Sequence, residues 1–293
     1  MAFTGSDSVG MADLRAENVS KVVTGFALTE YVFKQLVMVE SSNAWKESYY
    51  KESSADKTGG AGSAVEGIPR LTAFPHAETA WTLKSSRHKK HGLDVRISWE
   101  DAVMDDVDVI ARELLRNARA VTKSVDKNIW DSITETLRTT GTDTNTQACS
   151  ATWDNADIAL RNPIQDILDA MKEIAVDNYN PYSNGYLLLN PTDFANIMGN
   201  ANVKNSGQFF TSDVTKNGRV GRLLGLTVIV SNQVDDTYAA IVVAKECATW
   251  KEAKALTTVT IEDPGIGYTI RSWEVGTCQL KNPECVCLIT GTA

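Results

Sequence analysis

Between Leu93 and Thr140 the chain contains neither glycine nor proline. Through that window Val103, Val107, Ile110, Leu114, Ala118, Val121, Val125, Ile129, Ile133 and Leu137 recur at intervals of three and four. This is the period of one apolar face on an α-helix. Ser98 followed by Asp101 has the form of a capping box, and Glu100, Asp101, Asp105, Asp106 and Asp108 crowd the first turns before bases begin at Arg112. That polarity suits the helix dipole. The pattern predicts a helix starting near Trp99 and roughly 55 Å long at about 1.5 Å per residue. Such a helix exceeds the usual globular length, so the fold must provide an extended body for it to lie against.

The rest of the chain supplies short elements. Residues 11–40 read as an arm with one or two short helices. From Trp45 the sequence turns polar and small, with Ser53 to Ser63 (SSADKTGGAGS) suited to a long loop, and Ala80–Lys84 and Leu93–Ser98 alternate like strands on either side of SSRHKKHG. After Gly141–Ser150, Asn162-Pro163 opens an amphipathic helix with Ile164, Ile167, Leu168, Met171, Ile174 and Ala175 facing inward. Tyr186–Leu189 reads as a buried strand, Asn190-Pro191-Thr192-Asp193 as the start of a short helix ended by Gly199, and Tyr238–Ala244 as a further strand. From Leu256 onward strands dominate, punctuated by Asp263-Pro264-Gly265 and Lys281-Asn282-Pro283-Glu284. The fold class is α+β, and no internal repeat is visible.

Composition excludes several functions. With 43% apolar and 23% charged residues, the 293-residue chain has the balance of a soluble folded protein. No apolar run is long enough to span a bilayer, and the first twenty residues lack the basic and apolar regions of a secretory signal, so folding in the cytoplasm is expected. The net charge of −8 argues against a general nucleic-acid binder. Five scattered cysteines, Cys149, Cys247, Cys278, Cys285 and Cys287, make no disulfide framework and no zinc spacing, and read as buried small apolar residues.

The search for chemistry returns little. Gly218 to Ser231 (GRVGRLLGLTVIVS) resembles a phosphate cradle, but its glycines precede a β-branched strand and no Gly-Lys-Ser/Thr follows, so it reads as a turn feeding a strand. His88-Lys89-Lys90-His91 spaces two of the three histidines like ligands, yet cationic neighbours disfavour a metal, and a solvated loop tip or subunit contact is the better reading. Asp154-Asn155-Ala156-Asp157 lacks the turn glycine and closing glutamate of a calcium loop. The acidic run Asp105-Asp106-Val107-Asp108 reads as a solvated helix start, and the seven tryptophans as packing anchors. One local positive cluster stands out, Lys84, Arg87, Lys89 and Lys90 beside Trp81. On a net-negative chain it suggests docking onto another copy. No catalytic, cofactor or metal residues are assigned, and the chain is expected not to be an enzyme.

Taken in order, these parts resemble the major capsid proteins of tailed bacteriophages, a fold shared with encapsulins. The motifs that carry the resemblance are Tyr186 to Phe194 (YLLLNPTDF) and Asn217 to Ser231 (NGRVGRLLGLTVIVS), following a long helix and a glycine-tipped loop. The resemblance covers nearly the whole chain. It implies an N-terminal arm over 1–44, an extended E-loop over 45–98 and a P domain over 99–152 containing a spine helix. An α/β A domain follows over 153–247, and strands over 248–293 return to the P domain. It implies pentamers and hexamers of this chain forming an icosahedral head around double-stranded DNA that is not specifically bound. The location is then the virion, after assembly in the host cytoplasm, with no membrane. Portal and decoration proteins are implied as partners, and the short arm implies a separate scaffold protein. Some relatives crosslink a loop lysine to an asparagine, for which Lys57 and Asn282 are the available pair. Two other readings stay open: an encapsulin-type compartment shell, and an α/β enzyme with residues 45–98 as a lid.

Overall fold

The structure is a computed structural model that describes residues 16–52, 67–74, 82–103, 107–135, 143–200 and 221–293. Its longest helix is the one the apolar period demands. After a short helix Trp99–Val103, capped where Asp101 N–H donates to Ser98 Oγ at 3.1 Å, the helix Val107–Thr134 runs for 28 residues. That is about 42 Å at the usual rise. Leu114, Ala118, Val121, Val125, Ile129 and Ile133 are all buried, as the spacing requires.

The helix stops before the period does. Glu135 adopts a left-handed φ of 53°, and its carboxylate accepts from Asp143 N–H at 2.9 Å and Thr144 Oγ1 at 3.2 Å. Thr144 Oγ1 also donates to Ile133 O at 3.3 Å, satisfying a carbonyl the helix end leaves open. Contacts from beyond the helix therefore outweigh the local pattern.

We number the helices α1 (Ala16–Glu30), α2 (Trp99–Val103), α3 (Val107–Thr134), α4 (Pro163–Val176), α5 (Pro181–Asn184) and α6 (Pro191–Gly199). The strands are β1 (Met38–Ser41), β2 (Lys46–Lys51), β3 (Thr82–Arg87), β4 (Lys89–Ser98), β5 (Asn145–Ala148), β6 (Gly185–Leu189), β7 (Arg222–Leu223), β8 (Leu226–Val230), β9 (Tyr238–Val243), β10 (Ala248–Asp263), β11 (Gly267–Leu280) and β12 (Val286–Thr290). Three sheets result. One has the order β1-β10-β11-β4, a second β5-β12-β9-β6-β8-β7, and β2 pairs β3 in a separate two-stranded ribbon.

The four-stranded sheet carries α1 and α3 on one face. Val19, Val23 and Ala27 of α1 join Val125, Ile129, Trp130, Trp250 and Ile270 in the core. Phe33, just past α1, packs on Trp130 with ring centroids 6.2 Å apart.

In the six-stranded sheet β6, β9 and β12 are buried nearly throughout. Strands that hide both faces belong at a sheet centre. This explains one difference from the linear division above. Asn145–Ala148 and Val286–Thr290, grouped there with the long-helix region, pair with each other, and Val286–Thr290 also pairs with β9, in the six-stranded sheet.

The α4 start at Pro163, the α6 start capped by Asn190 Oδ1 on Thr192 N–H, and the α6 end at Gly199 fall where the sequence puts them. Leu168, expected inside, is 39% exposed on α4. The glycine-rich stretch opens β8 through a two-residue turn, Leu224-Gly225, with φ of 52° and 86°. Positive φ at both positions matches the twist that joins paired strands. Asn217-Gly218 lies outside the described residues.

Candidate functional site

The positive cluster does not sit on a loop tip. Lys84 and Arg87 lie on β3, Lys89 and Lys90 on β4, and His88 alone separates the two strands. Strand alternation turns Lys84 and Arg87 to opposite faces of the ribbon, and Lys89 and Lys90 to opposite faces of the larger sheet. The structure therefore splits the four cations between two sheets. Lys84 is half-buried, whereas Arg87, Lys89 and Lys90 are exposed. Trp81 lies outside the described residues, as do Lys57 and His76.

Both described histidines overturn the solvated-tip reading, because His88 and His91 are buried. His91 Nδ1 is 2.8 Å from Ser124 Oγ on α3, and His88 Nε2 is 3.3 Å from Ser42 Oγ. Burial among apolar neighbours pushes the His91 pKa down, with Glu274 opposing. The polar letters of this stretch conceal an inward-facing alternation of His91, Val95 and Ile97.

The ribbon β2–β3 leaves the four-stranded sheet at Ser42 and re-enters it at His88, so those two side chains meet at its root. Ser42 Oγ also donates to Glu47 Oε1. Gln279 Nε2 on β11 donates to Glu47 Oε2 at 3.3 Å and Ser86 Oγ at 3.0 Å. At the far end of β2, the buried Lys51 Nζ reaches Glu135 Oε1 at 2.8 Å and Asp143 Oδ2 at 2.6 Å. The ribbon is thereby tied to β11 near its root and to the end of α3 at the far end of β2.

A second buried polar network ties the segment after α1 to the sheet and, through Asp126, to the long helix. Glu274 on β11, its side chain 0% exposed, accepts from Tyr31 Oη, from Lys34 Nζ at 2.7 Å and from Trp250 Nε1 at 3.1 Å. Lys34 Nζ also donates to Glu252 Oε2 at 3.0 Å; desolvation pulls its pKa down, but Glu274 and Glu252 together outweigh this and raise it. Asp126 on α3 accepts from Val32 N–H at 3.0 Å and Phe33 N–H at 3.1 Å. Its burial pushes the carboxyl up to about 6. A network with this many partners pins the segment after α1 in one pose.

On the outer face of the four-stranded sheet, β4 and β11 form a shallow groove of about 380 Å³ lined by Lys90, Gly92, Leu93, Asp94, Arg271 and Trp273. Lys90 Nζ sits 5.5 Å from the centre of the Trp273 ring. Arg271 makes a two-pronged pair with Asp94, Nε to Oδ1 at 2.8 Å and Nη2 to Oδ2 at 2.6 Å, which holds the Asp94 carboxyl below its usual range. The groove is open and its Arg271 is already paired, and the one hydroxyl in its lining, Ser272, is buried and sits 2.9 Å from Thr258 Oγ1.

Groups suited to catalysis elsewhere are enclosed. Asp193 is pushed up to about 6 by burial, but it is 0% exposed and accepts from Thr292 Oγ1 at 2.8 Å, so it clamps the C-terminal segment to α6. Burial drives the thiols of Cys149, Cys247 and Cys287 to about 12, which removes thiolate chemistry near neutral pH. Asn155 and Asp157, weighed above as part of a calcium loop, instead accept backbone N–H groups, Asn155 Oδ1 from Asp157 and Asp157 Oδ1 from Ala159. Among the described residues no three His, Cys, Asp or Glu side chains are grouped to hold a metal, and no helix is long and apolar enough to cross a membrane.

Comparison with known proteins places this architecture. The sequence profile described as phage capsid protein matches residues 82–289. No curated protein sequence matches the chain. Among solved structures, the capsid of cyanophage P-SCSP1u superposes with a TM-score of 0.65 at 14% identity, over 89% of this chain and 88% of that one. The virus-like particle from Pyrococcus furiosus gives 0.61 at 12% identity, over 93% and 98%. The mature capsid of bacteriophage PhiM1 gives 0.59 at 13% identity, over 88% and 86%. The fold is that of the phage capsids.

Proposed function

The chain belongs to the phage capsid protein family, and from that premise we propose that it is a major capsid protein whose pentamers and hexamers build an icosahedral head around double-stranded DNA. The observation that carries the reading is the family match over residues 82–289, which spans the long helix, the six-stranded sheet and all of the four-stranded sheet but β1. In this proposal α3 is the spine helix, the β2–β3 ribbon is the root of the E-loop, and α4 to β9 form the body of the A domain. The arm, E-loop, P and A divisions at 1–44, 45–98, 99–152 with 248–293, and 153–247 stand as part of the proposal. In the same proposal β5 and β12, which share the six-stranded sheet with β9, complete the sheet of the A domain.

Two physical features support it. A shell subunit needs stiffness, and the buried Glu274 and Asp126 networks brace the long helix against its sheet. A container should not hold its DNA along the wall, and a net charge of −8 keeps phosphate contacts few. Assembly uses a separate scaffold, with portal and decoration proteins as further partners, and the virion is the final location.

Negative-stain microscopy of the expressed chain, alone and with a candidate scaffold, tests this. Pentamers, hexamers or closed shells are expected, whereas a monomer under every condition overturns the proposal. The likeness to the Pyrococcus particle favours one second reading, a compartment shell filled with protein cargo. Mass analysis of purified particles separates the two by genome or cargo content.

A further inference from the structure

Among the described residues, the four-stranded sheet has one long open edge. β1 pairs β10 only from Thr249 to Glu252, and beyond Glu252 no described strand covers that side of β10. The uncovered part reads Leu256-Thr257-Thr258-Val259-Thr260-Ile261, without charge or proline and rich in β-branched residues. Val259 and Ile261 are 40% and 38% exposed. Natural sheets seldom leave such an edge bare, because its free N–H and C=O groups template pairing with another chain. A bulge lies on one side, where the register slips between Lys254 and Thr257. Charged residues stand only at the two ends, Lys254 at one and Glu262 with Asp263 at the other.

The edge is self-complementary when measured on the ladder with β11. Val259 stands opposite Arg271, Lys254 opposite Val275 and Asp263 opposite Gly267, so Lys254 and Asp263 are each four β11 positions from Val259, on either side. Thr257, opposite Trp273, and Ile261, opposite Thr269, are likewise equidistant from it. So are Thr258, opposite Ser272, and Thr260, opposite Ile270. The same strand laid antiparallel about Val259 would set Lys254 against Asp263 twice, Thr257 against Ile261 twice, and Thr258 against Thr260 twice. Each pair falls on one face of the sheet. Thr260 Oγ1 is buried and has no hydrogen-bond partner among the described residues, and this pairing brings a second threonine beside it.

We propose that this edge is an interface between copies of the chain, closed by β10 of a second subunit running antiparallel about a two-fold axis at Val259. The inference rests on the shell-building reading above and names one of its contacts. A two-fold contact uses the same patch on both partners, and only a patch complementary to its own reverse can do so.

The test uses full-length chain and its assemblies. Lys254 and Asp263 of one chain are about 26 Å apart at ~3.3 Å per ladder position, so they cannot pair within a subunit. Lys254→Asp and Asp263→Lys should each slow assembly by roughly tenfold by setting like charges together. The double variant, which restores opposite charges between copies, should assemble at close to the parental rate. Hydrogen exchange supplies the second readout: in assemblies, the amides of 256–262 that face away from β11 should become protected relative to the unassembled chain. Unchanged exchange in intact shells overturns the edge proposal, and so does protection with a double variant no better than the single ones, which would mean another occupant. No assembly of the parental chain with any scaffold overturns the shell-building reading itself.

Discussion

Lys51 Nζ lies 2.8 Å from Glu135 Oε1, with the two side chains 3% and 0% exposed. One residue ends β2, at the end of the ribbon away from Ser42 and His88, and the other follows the last turn of α3. The ion pair therefore fixes where a long excursion departs from a rigid helix. Glu135 holds a left-handed backbone there, a conformation that costs roughly 1–2 kcal/mol for a residue with a side chain. The surrounding contacts must supply that energy.

Removing one partner leaves a buried charge unmatched. Lys51→Met is expected to cost about 3–5 kcal/mol, read from the urea midpoint. Lys51→Met combined with Glu135→Gln should recover much of that loss, since the uncompensated charge disappears while an acceptor for Asp143 N–H and Thr144 Oγ1 is kept. Equal loss in the single and double variants would show that packing, not charge, governs the site.

Asp126 makes stability depend on pH. Its folded-state pKa is about 6, raised above the usual 3.8 by desolvation. Between pH 4 and 6 the folded chain therefore holds a proton that the unfolded chain has released. Stability is greatest below that window and falls as pH rises through it, by about 3 kcal/mol for a two-unit shift. Asp126→Asn should flatten this part of the profile in urea titrations at successive pH values. Glu40 and Asp94, held low by hydrogen bonds from Lys251 and Arg271, act in the opposite sense, losing stability only as pH falls through the acid range.

Gly276 is required by a neighbour's bulk. A Cβ there would lie 2.3 Å from Trp250 Cζ2 and 3.0 Å from Lys251 O. Trp250 in turn donates to Glu274. Gly276→Ala is expected to cost about 1–3 kcal/mol through overpacking, accompanied by a shift in tryptophan fluorescence. An unchanged thermal midpoint would contradict the packing of this strand pair.

The thiols should be inert in the folded chain. With Cys247, Cys285 and Cys287 fully buried and thiol pKa values of about 12 at Cys149, Cys247 and Cys287, iodoacetamide at pH 8 should label none of these until denaturant is added. Rapid native labelling at Cys247 or Cys287, followed by mass spectrometry, would mean that the six-stranded sheet opens.

Much of the secondary structure was legible in the residues. The apolar period of α3, the Asn-Pro starts of α4 and α6, and the apolar runs of β6, β8 and β9 all depend on neighbours within a few positions. The site was legible in part. The cations at Lys84, Arg87, Lys89 and Lys90 are where strands, not a loop tip, hold them, because a single residue, His88, separates β3 from β4. Lys51, Lys34 and Glu274 carry no local mark of burial. Their partners lie far along the chain, as when Tyr31 meets Glu274 across 243 positions.

By itself, then, the sequence determined what each segment is, since helix and strand periods express which side of a local element avoids water. Tertiary structure alone decided which strand pairs with which, which charges are buried, and which edge is left open. Hydrogen-bond ladders and ion pairs are two-body terms, and their second bodies often lie far along the chain, as Glu274 does from Tyr31.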